Sequence, residues 1–152
     1  MKQMDKHEGG ESLLAVLQKT IDATCFSTNL YQLLFDKMND EKRKRQLRLF
    51  LEHGQKQYQW FQYLHFLMNG AYYEHKPCQI VHDSTNDLID AALFNEMKKT
   101  NWYYELFTSL TGTKKQVIMQ ALKHSLQCAA TLLEMVEEIN LEQIRSTRET
   151  HE

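Results

Sequence analysis

The eight residues TNLYQLLF at positions 28–35 return almost unchanged as TNWYYELF at positions 100–107, 72 positions later in a chain of 152 residues. A second match follows further along each copy. LEHGQKQ at 51–57 corresponds to LKHSLQC at 122–128, with an offset of 71. Because the two matches keep their order and nearly the same offset, the sequence indicates an internal repeat of two halves.

Both halves have the apolar spacing of long helices. Apolar residues recur at intervals of three and four, the period of one helix face, and only one proline and five glycines interrupt the chain. Helix A is predicted at about 12–38, helix B from Asp40 to about 69, helix C at about 86–110 and helix D from Thr113 to about 140. The inward stripe of helix C is predicted to be Ile89, Leu93, Glu96, Tyr103 and Leu110.

The connections between the helices predict an all-α architecture. Breaks between A and B and between C and D are short, whereas AYYEHKPCQIVHDST at 71–85 has no helical period and holds Pro77. Two antiparallel hairpins, A-B and C-D, joined by a long crossover are the topology of a ferritin-like four-helix bundle. We expect a flexible N-terminus at 1–11, one domain at 12–140 and a polar tail at 141–152.

Composition excludes several classes of partner and location. The formal net charge of −2 creates no strong field for nucleic acid or anionic lipid. No segment approaches the roughly 20 apolar residues of a membrane-spanning helix. Three widely spaced cysteines, an odd number without a CxxC pair, fit a reducing interior. The sequence predicts a cytoplasmic protein that binds neither nucleic acid nor membranes.

At the repeated residues the chain resembles the ferritin-like superfamily, in particular its small rubrerythrin-type members, over roughly residues 12–140. The resemblance implies a di-metal centre. Its pattern is a Glu on the first helix of each hairpin, a Tyr seven residues later, and Glu-x-x-His on the second helix. Glu96 and Tyr103 keep this spacing on helix C, and Tyr31 keeps the tyrosine on helix A. The other ligand positions are substituted, by Thr24, Gly54, Gln57, Ser125 and Cys128.

These substitutions predict that the di-metal centre is vestigial. A site of this kind uses about four carboxylates and two imidazoles to neutralise two cations, and Glu96 alone cannot do so. We expect no cofactor and a structural, binding or regulatory role with an unidentified protein or small-molecule partner, rather than an enzymatic one. Because an amide preserves the shape and most of the hydrogen bonding of the carboxyl group, the Glu96→Gln change is predicted to cost little stability.

A second hypothesis keeps metal chemistry. His124 and Cys128 lie at i and i+4 on helix D, and His53 is the repeat counterpart of His124 on helix B. The three could hold a single divalent metal in an enzyme or sensor. The spacing is similar to the H-x-x-x-H pair of DinB-like bundles, here changed to H-x-x-x-C.

A homodimer is expected through helices A and B. Both helices carry apolar residues outside their inward stripes, whereas helices C and D are expected mostly not to. A patch of this kind is too apolar for comfortable exposure. Its predicted members are Phe26, Leu30 and Leu33 on helix A and Trp60, Tyr63 and Leu67 on helix B.

Overall fold

The protein folds into four α-helices packed side by side. The computed structural model describes residues 11–81 and 84–151 and contains no β-strand among them. Helix α1 spans Leu13–Lys37, α2 spans Glu41–Asn69, α3 spans Thr85–Ser109 and α4 spans Gly112–His151. The predicted all-helical bundle is therefore confirmed.

Helix boundaries follow ordinary capping chemistry. The Asp40 carboxylate accepts hydrogen bonds from the first backbone amides of α2, at 3.3 and 3.4 Å, and the Ser84 hydroxyl accepts one at the start of α3, at 3.1 Å. Gly70 ends α2 with a φ of 78°, and Gly112 has a φ of 63° where α3 gives way to α4. Glycine adopts this left-handed backbone without the strain that a Cβ imposes.

The largest difference between the predicted and the observed helices lies at the C-terminal end of α4. The sequence predicts that helix D ends near residue 140 before a polar tail, but α4 continues to His151. The segment 141–151 contains neither Gly nor Pro, and six of its eleven residues are Leu, Glu, Gln or Arg, which favour helices even when exposed. None of the described helices, α4 included, is both long and apolar enough to span a membrane. Of the predicted N-terminal segment 1–11, only Glu11 lies within the described residues.

Helix α1 buries a wide face because it packs against both α2 and α3. Leu30 is fully buried and Phe26 packs against the core, although both are predicted to lie on an outward face. Only Leu33 of that group is exposed, at 37%. On α1, the predicted patch is therefore reduced to Leu33 and the half-buried Phe26. Its members on α2 are about half exposed: Trp60, Tyr63 and Leu67.

Helices α3 and α4 carry several exposed apolar side chains, so the expectation that they mostly lack a second apolar face is wrong. The exposed residues are Phe94, Met97 and Tyr104 on α3, and Met119, Leu126, Leu133, Leu141 and Ile144 on α4. The apolar period predicted which face of each helix points inward, but it did not predict that the same helix carries a second, exposed apolar stripe.

Residues 70–84 connect α2 to α3, and α1 anchors the described part of this segment. The Asp22 carboxylate accepts from the Tyr73 hydroxyl and from the Lys76 amide, both at 2.9 Å. The Gln62 side chain exchanges two hydrogen bonds with the Tyr73 backbone, at 2.7 and 2.8 Å. These contacts hold a segment without helical structure against the bundle.

Gly54 marks the closest approach between α2 and α1. A Cβ added there would lie 2.9 Å from Thr28 Oγ1, which itself donates to the Thr24 carbonyl at 3.0 Å. Glycine costs a helix interior roughly 1 kcal/mol relative to alanine, so this position gives up helix stability for close packing.

We predict that Gly54→Ala affects stability in opposite directions in two backgrounds. In the native chain the new methyl crowds Thr28, and overpacking costs about 1–3 kcal/mol, which outweighs the gain in helix propensity. In a Thr28→Ala background the clash is removed, and the change should stabilise by about 0.5–1 kcal/mol. Urea unfolding of the four proteins measures the coupling. Equal effects in both backgrounds would contradict the proposed contact.

Candidate functional site

The six positions that the sequence predicts to form a vestigial di-metal centre are all buried in the bundle. Their exposed fractions run from 0% at Thr24 to 7% at Gln57, and Glu96, Ser125 and Cys128 fall between these values. Gly54 is buried as well. The inward register chosen at Gly54 is therefore the one the structure adopts, since Glu52 and Gln55 are exposed.

Lys99 occupies the centre of this group, and the sequence analysis did not identify it. Its Nζ donates to both oxygens of Glu96, at 2.9 and 3.0 Å, and lies 3.4 Å from the Ser27 hydroxyl. Glu96 is 1% exposed and Lys99 is 2% exposed. The ammonium thus neutralises the single acidic side chain among the described buried residues.

Neutral polar groups surround this ion pair. Ser125 Oγ lies 3.5 Å from Glu96 Oε1 and 3.1 Å from the Thr100 hydroxyl. On the other side, the Tyr103 hydroxyl donates to Gln57 Oε1 at 2.9 Å and lies 3.4 Å from Thr24 Oγ1. We call this set the central network; it comprises Thr24, Ser27, Gln57, Glu96, Lys99, Thr100, Tyr103 and Ser125.

Burial and the ion pair set the charge states in the core. Burial raises the pKa of Tyr103 to about 12, against an opposing effect of Lys99, and burial with Glu96 nearby raises the pKa of Cys128 to about 12. Burial alone lowers the pKa of Lys99, but the adjacent Glu96 outweighs it and raises the pKa above its ordinary value. At neutral pH, Lys99 is charged and both the phenol and the thiol are neutral.

Tyr31, the second predicted centre tyrosine, lies outside the hydrogen-bonded set. Burial raises its pKa well above the ordinary value, and the negative charge of Glu96 adds to this effect. Its hydroxyl makes no hydrogen bond of good geometry with a described residue. The ring packs against Phe50 with centroids 5.3 Å apart, so Tyr31 acts mainly as a core aromatic.

The residues at the bundle centre do not fit the di-metal group that the resemblance implies. Both oxygens of Glu96 already accept hydrogen bonds from Lys99. A divalent cation there would have to displace an ammonium and would gain only one carboxylate. The other ligand positions offer hydroxyl, amide and neutral thiol groups, which cannot neutralise two cations.

The alternative metal ligands are only partly brought together. The rings of His53 and His124 stack with centroids 3.8 Å apart and planes 4° from parallel, whereas Cys128 is buried near Glu96. Burial lowers the pKa of both histidines, and Lys56 lowers both further. Among the described residues, no group of three or more His, Cys, Asp or Glu side chains is arranged to hold a metal ion.

A cavity of about 340 Å³ opens between α2 and α4 beside the histidine pair. These two helices pack less closely against each other than the other packed pairs do, and a gap remains along their seam. Gln57 lines this cavity and also accepts from Tyr103 in the core. A second cavity of about 210 Å³ continues along the same seam past Trp60, Tyr63 and Leu67.

Comparisons with known proteins give this chain no family. No protein-family model matches it, and no curated protein matches it either. The roles of the ion pair and of the cavity are therefore inferred from the chain's own residues.

The buried ion pair changes the prediction for Glu96. The sequence predicts that Glu96→Gln costs little because the amide preserves the shape of the carboxyl group, but Lys99 places a buried cation beside this position. We now expect Glu96→Gln and Lys99→Met each to lower the free energy of unfolding by about 3–5 kcal/mol, because each leaves one buried charge unpaired.

The double variant Glu96→Gln/Lys99→Met should lose less than either single variant, since both charges are removed together. Urea unfolding followed by circular dichroism measures all three. Losses in the double variant equal to the sum of the single losses would show that the two residues do not form a coupled pair.

Proposed function

We propose that the protein is a ferritin-like bundle that has lost the di-metal centre of that superfamily and serves as a binding module for a small ligand. Gln57 is the observation that carries the binding role. Its side chain accepts a hydrogen bond from Tyr103 inside the core and also lines the cavity between α2 and α4. A ligand in this cavity would contact Gln57, the one residue that the described cavity lining shares with the central network.

Contacts between helices support the ferritin-like topology. Residue numbers in contacting pairs run in opposite directions within α1 and α2 and within α3 and α4, as expected for two antiparallel hairpins. The pairs are Gln18 with His65 and Tyr31 with Phe50 in the first hairpin, and Thr100 with Ser125 and Phe107 with Lys115 in the second.

The internal repeat has a counterpart in the contacts between α1 and α3. Asn95 Nδ2 donates to the carbonyl of Ala23 at 2.9 Å, and Lys99 Nζ lies 3.4 Å from the hydroxyl of Ser27. Each pair is separated by 72 positions, the offset of the repeat. Equivalent positions of the two halves thus meet at the centre of the bundle, which favours descent from a two-fold pattern.

The loss of metal chemistry is tested by metal analysis. Protein purified without added metal should contain less than one equivalent of iron or manganese per chain, and a chelator should leave its melting temperature unchanged, because Lys99 already neutralises Glu96. Two bound ions per chain that are lost on Glu96→Gln would overturn the proposal.

The lining of the larger cavity indicates the class of ligand. Trp60, Phe61, Val117 and Ala121 provide apolar walls, and Lys56 lies at the same cavity as the histidine pair. No acidic side chain occurs among the lining residues within 11–81 and 84–151. Its volume is at the lower end of the range for small-molecule sites, roughly 300–1,000 Å³. We infer a small amphipathic anion, such as an aromatic or aliphatic carboxylate.

The ligand class is tested with anilinonaphthalene sulfonate and with phenylnaphthylamine, which has the same ring system without the charge. We predict that Lys56→Met weakens binding of the sulfonate about tenfold and leaves the neutral probe unchanged, since only the anion loses a charged partner. Lys42→Met, at the far end of α2, is the matched control. Val117→Trp should fill the cavity and weaken both probes.

If neither Lys56→Met nor Val117→Trp alters binding, the probes bind elsewhere and the cavity is not the ligand site. Failure of this test leaves the metal analysis untouched, because the two experiments address different residues.

A metal-dependent enzyme or sensor is the second candidate, and the contact between His53 and His124 is the observation that favours it. Neutral imidazoles are good ligands for a single divalent metal. One metal equivalent per chain that is lost on His53→Ala and His124→Ala would establish this alternative and exclude the metal-free module. Including Cys128→Ala tests the third predicted ligand.

We also propose a reducing, cytoplasmic setting. Cys25, Cys78 and Cys128 are all free thiols, and structural disulfides are rare in that compartment.

A further inference from the structure

The outer face of α4 carries an apolar stripe that no other part of the described chain covers. Met119, Leu126, Leu133, Leu141 and Ile144 are between 37% and 53% exposed, and Ala130 in their midst is also exposed. At about 100° per residue these six positions fall within a sector of about 80° on the helix. The stripe is distinct from the buried one, which includes Ile118, Ser125 and Leu132.

This stripe continues past the bundle into the exposed end of α4. Every residue from 140 to 150 is exposed, yet the segment is helical. Short helical segments gain most of their stability from packing of an amphipathic face. In this segment the exposed side chains of Leu141 and Ile144 form the apolar face, and no described residue packs over it.

We propose that this face binds a second copy of the same chain, with the two α4 helices antiparallel and Ala130 at the two-fold axis. In such a pair, each residue faces the one that is equally far from residue 130 on the other side. Met119 then faces Leu141 of the second copy, and Leu126 lies against its Leu133. The small side chain of Ala130 allows the helices to approach closely at the axis.

The positions of two charged residues favour a second copy of the chain as the partner of this face. Lys123 and Glu137 lie within the stripe, each seven residues from Ala130, so each faces the other across the proposed interface. Neither has an ion-pair partner among the described residues, whereas the neighbouring Glu138 and Glu142 are already paired with Arg43. An unrelated partner would not be expected to match a stripe that is complementary to itself under a two-fold rotation.

The interface has the extent of a long helix pair. From Met119 to Leu141 the axis covers ~33 Å at 1.5 Å per residue. Apolar contacts run along this length, and two symmetry-related Lys123 to Glu137 pairs lie at intermediate positions. The proposal does not depend on the proposed ligand, because the cavity opens between α2 and α4 and not on this outer face.

The test uses charge reversal in the full chain, with the dimer dissociation constant measured by analytical ultracentrifugation. Lys123→Glu and Glu137→Lys should each weaken the dimer about tenfold, since each places like charges opposite one another. The double variant should return to within about threefold of the native value. A mixture of the two single variants should form a heterodimer of near-native affinity, because both of its charge pairs are again opposite in sign.

A disulfide test locates the axis. In a background with Cys25→Ser and Cys78→Ser, Ala130→Cys should form a covalent dimer under mild oxidation, because the two new thiols meet at the axis. Met97→Cys, on the exposed apolar face of α3, is the matched control and should remain monomeric on a denaturing gel.

Three results would overturn the proposal. One is a native chain that remains monomeric at all accessible concentrations. Another is a dimer that is insensitive to both charge reversals. The third is a dimer lost on Tyr63→Glu but kept on Leu126→Glu, because such a dimer would form through α2. Circular dichroism of the variants establishes that each exposed substitution leaves the helices intact.

Discussion

The buried ion pair between Glu96 and Lys99 is the interaction on which the rest of the bundle centre depends. A carboxylate that is 1% exposed needs compensation for its lost hydration, and an ammonium 2.9 Å away supplies it without a metal. Once this charge is balanced, the remaining positions need only neutral groups that complete the hydrogen bonds. Ser27, Ser125 and Tyr103 have that role, so the described residues balance the buried charge among themselves.

The two halves of the repeat contribute unequally to the balance of buried charge. Lys99 in the second half corresponds to Ser27 in the first, and Glu96 corresponds to Thr24. The long lysine side chain would need space that a second long side chain at its counterpart would occupy, and Ser27 leaves that space while accepting a contact from the ammonium at 3.4 Å. Both charges lie on one helix, at positions i and i+3, so a single turn of α3 contains the whole pair. A two-fold repeat in the sequence therefore does not require that both halves carry buried charges.

Helical periodicity was sufficient to predict the four helices and the inward positions of Glu96 and Gly54, because the burial of one helix face follows from the spacing of apolar residues within that segment. Periodicity was not sufficient to predict that Lys99 is buried, although the sequence contains a signal. The signal is a run of residues at intervals of three and four: Ile89, Ala92, Glu96, Lys99, Tyr103 and Leu106. Because lysine is rarely buried, this spacing alone does not predict a buried Lys99. Leu30 was misplaced for a different reason: α1 packs against two helices at once, and the width of its buried face depends on tertiary contacts that a single segment does not encode.

The open seam between α2 and α4 connects the bundle centre with the cavity that we propose as the ligand site. A tightly closed bundle would isolate the ion pair from solvent on every side, but Gln57 reaches the cavity while its Oε1 holds the Tyr103 hydroxyl at 2.9 Å. Tyr103 in turn lies within the field of Lys99, which lowers the pKa of the phenol against the effect of burial. Any ligand that reoriented the Gln57 amide would leave the Tyr103 hydroxyl without its acceptor, at a cost of about 1–3 kcal/mol unless the ligand replaced it. A ligand for this cavity must therefore either preserve that hydrogen bond or provide an acceptor of its own, and an anionic group meets the second requirement.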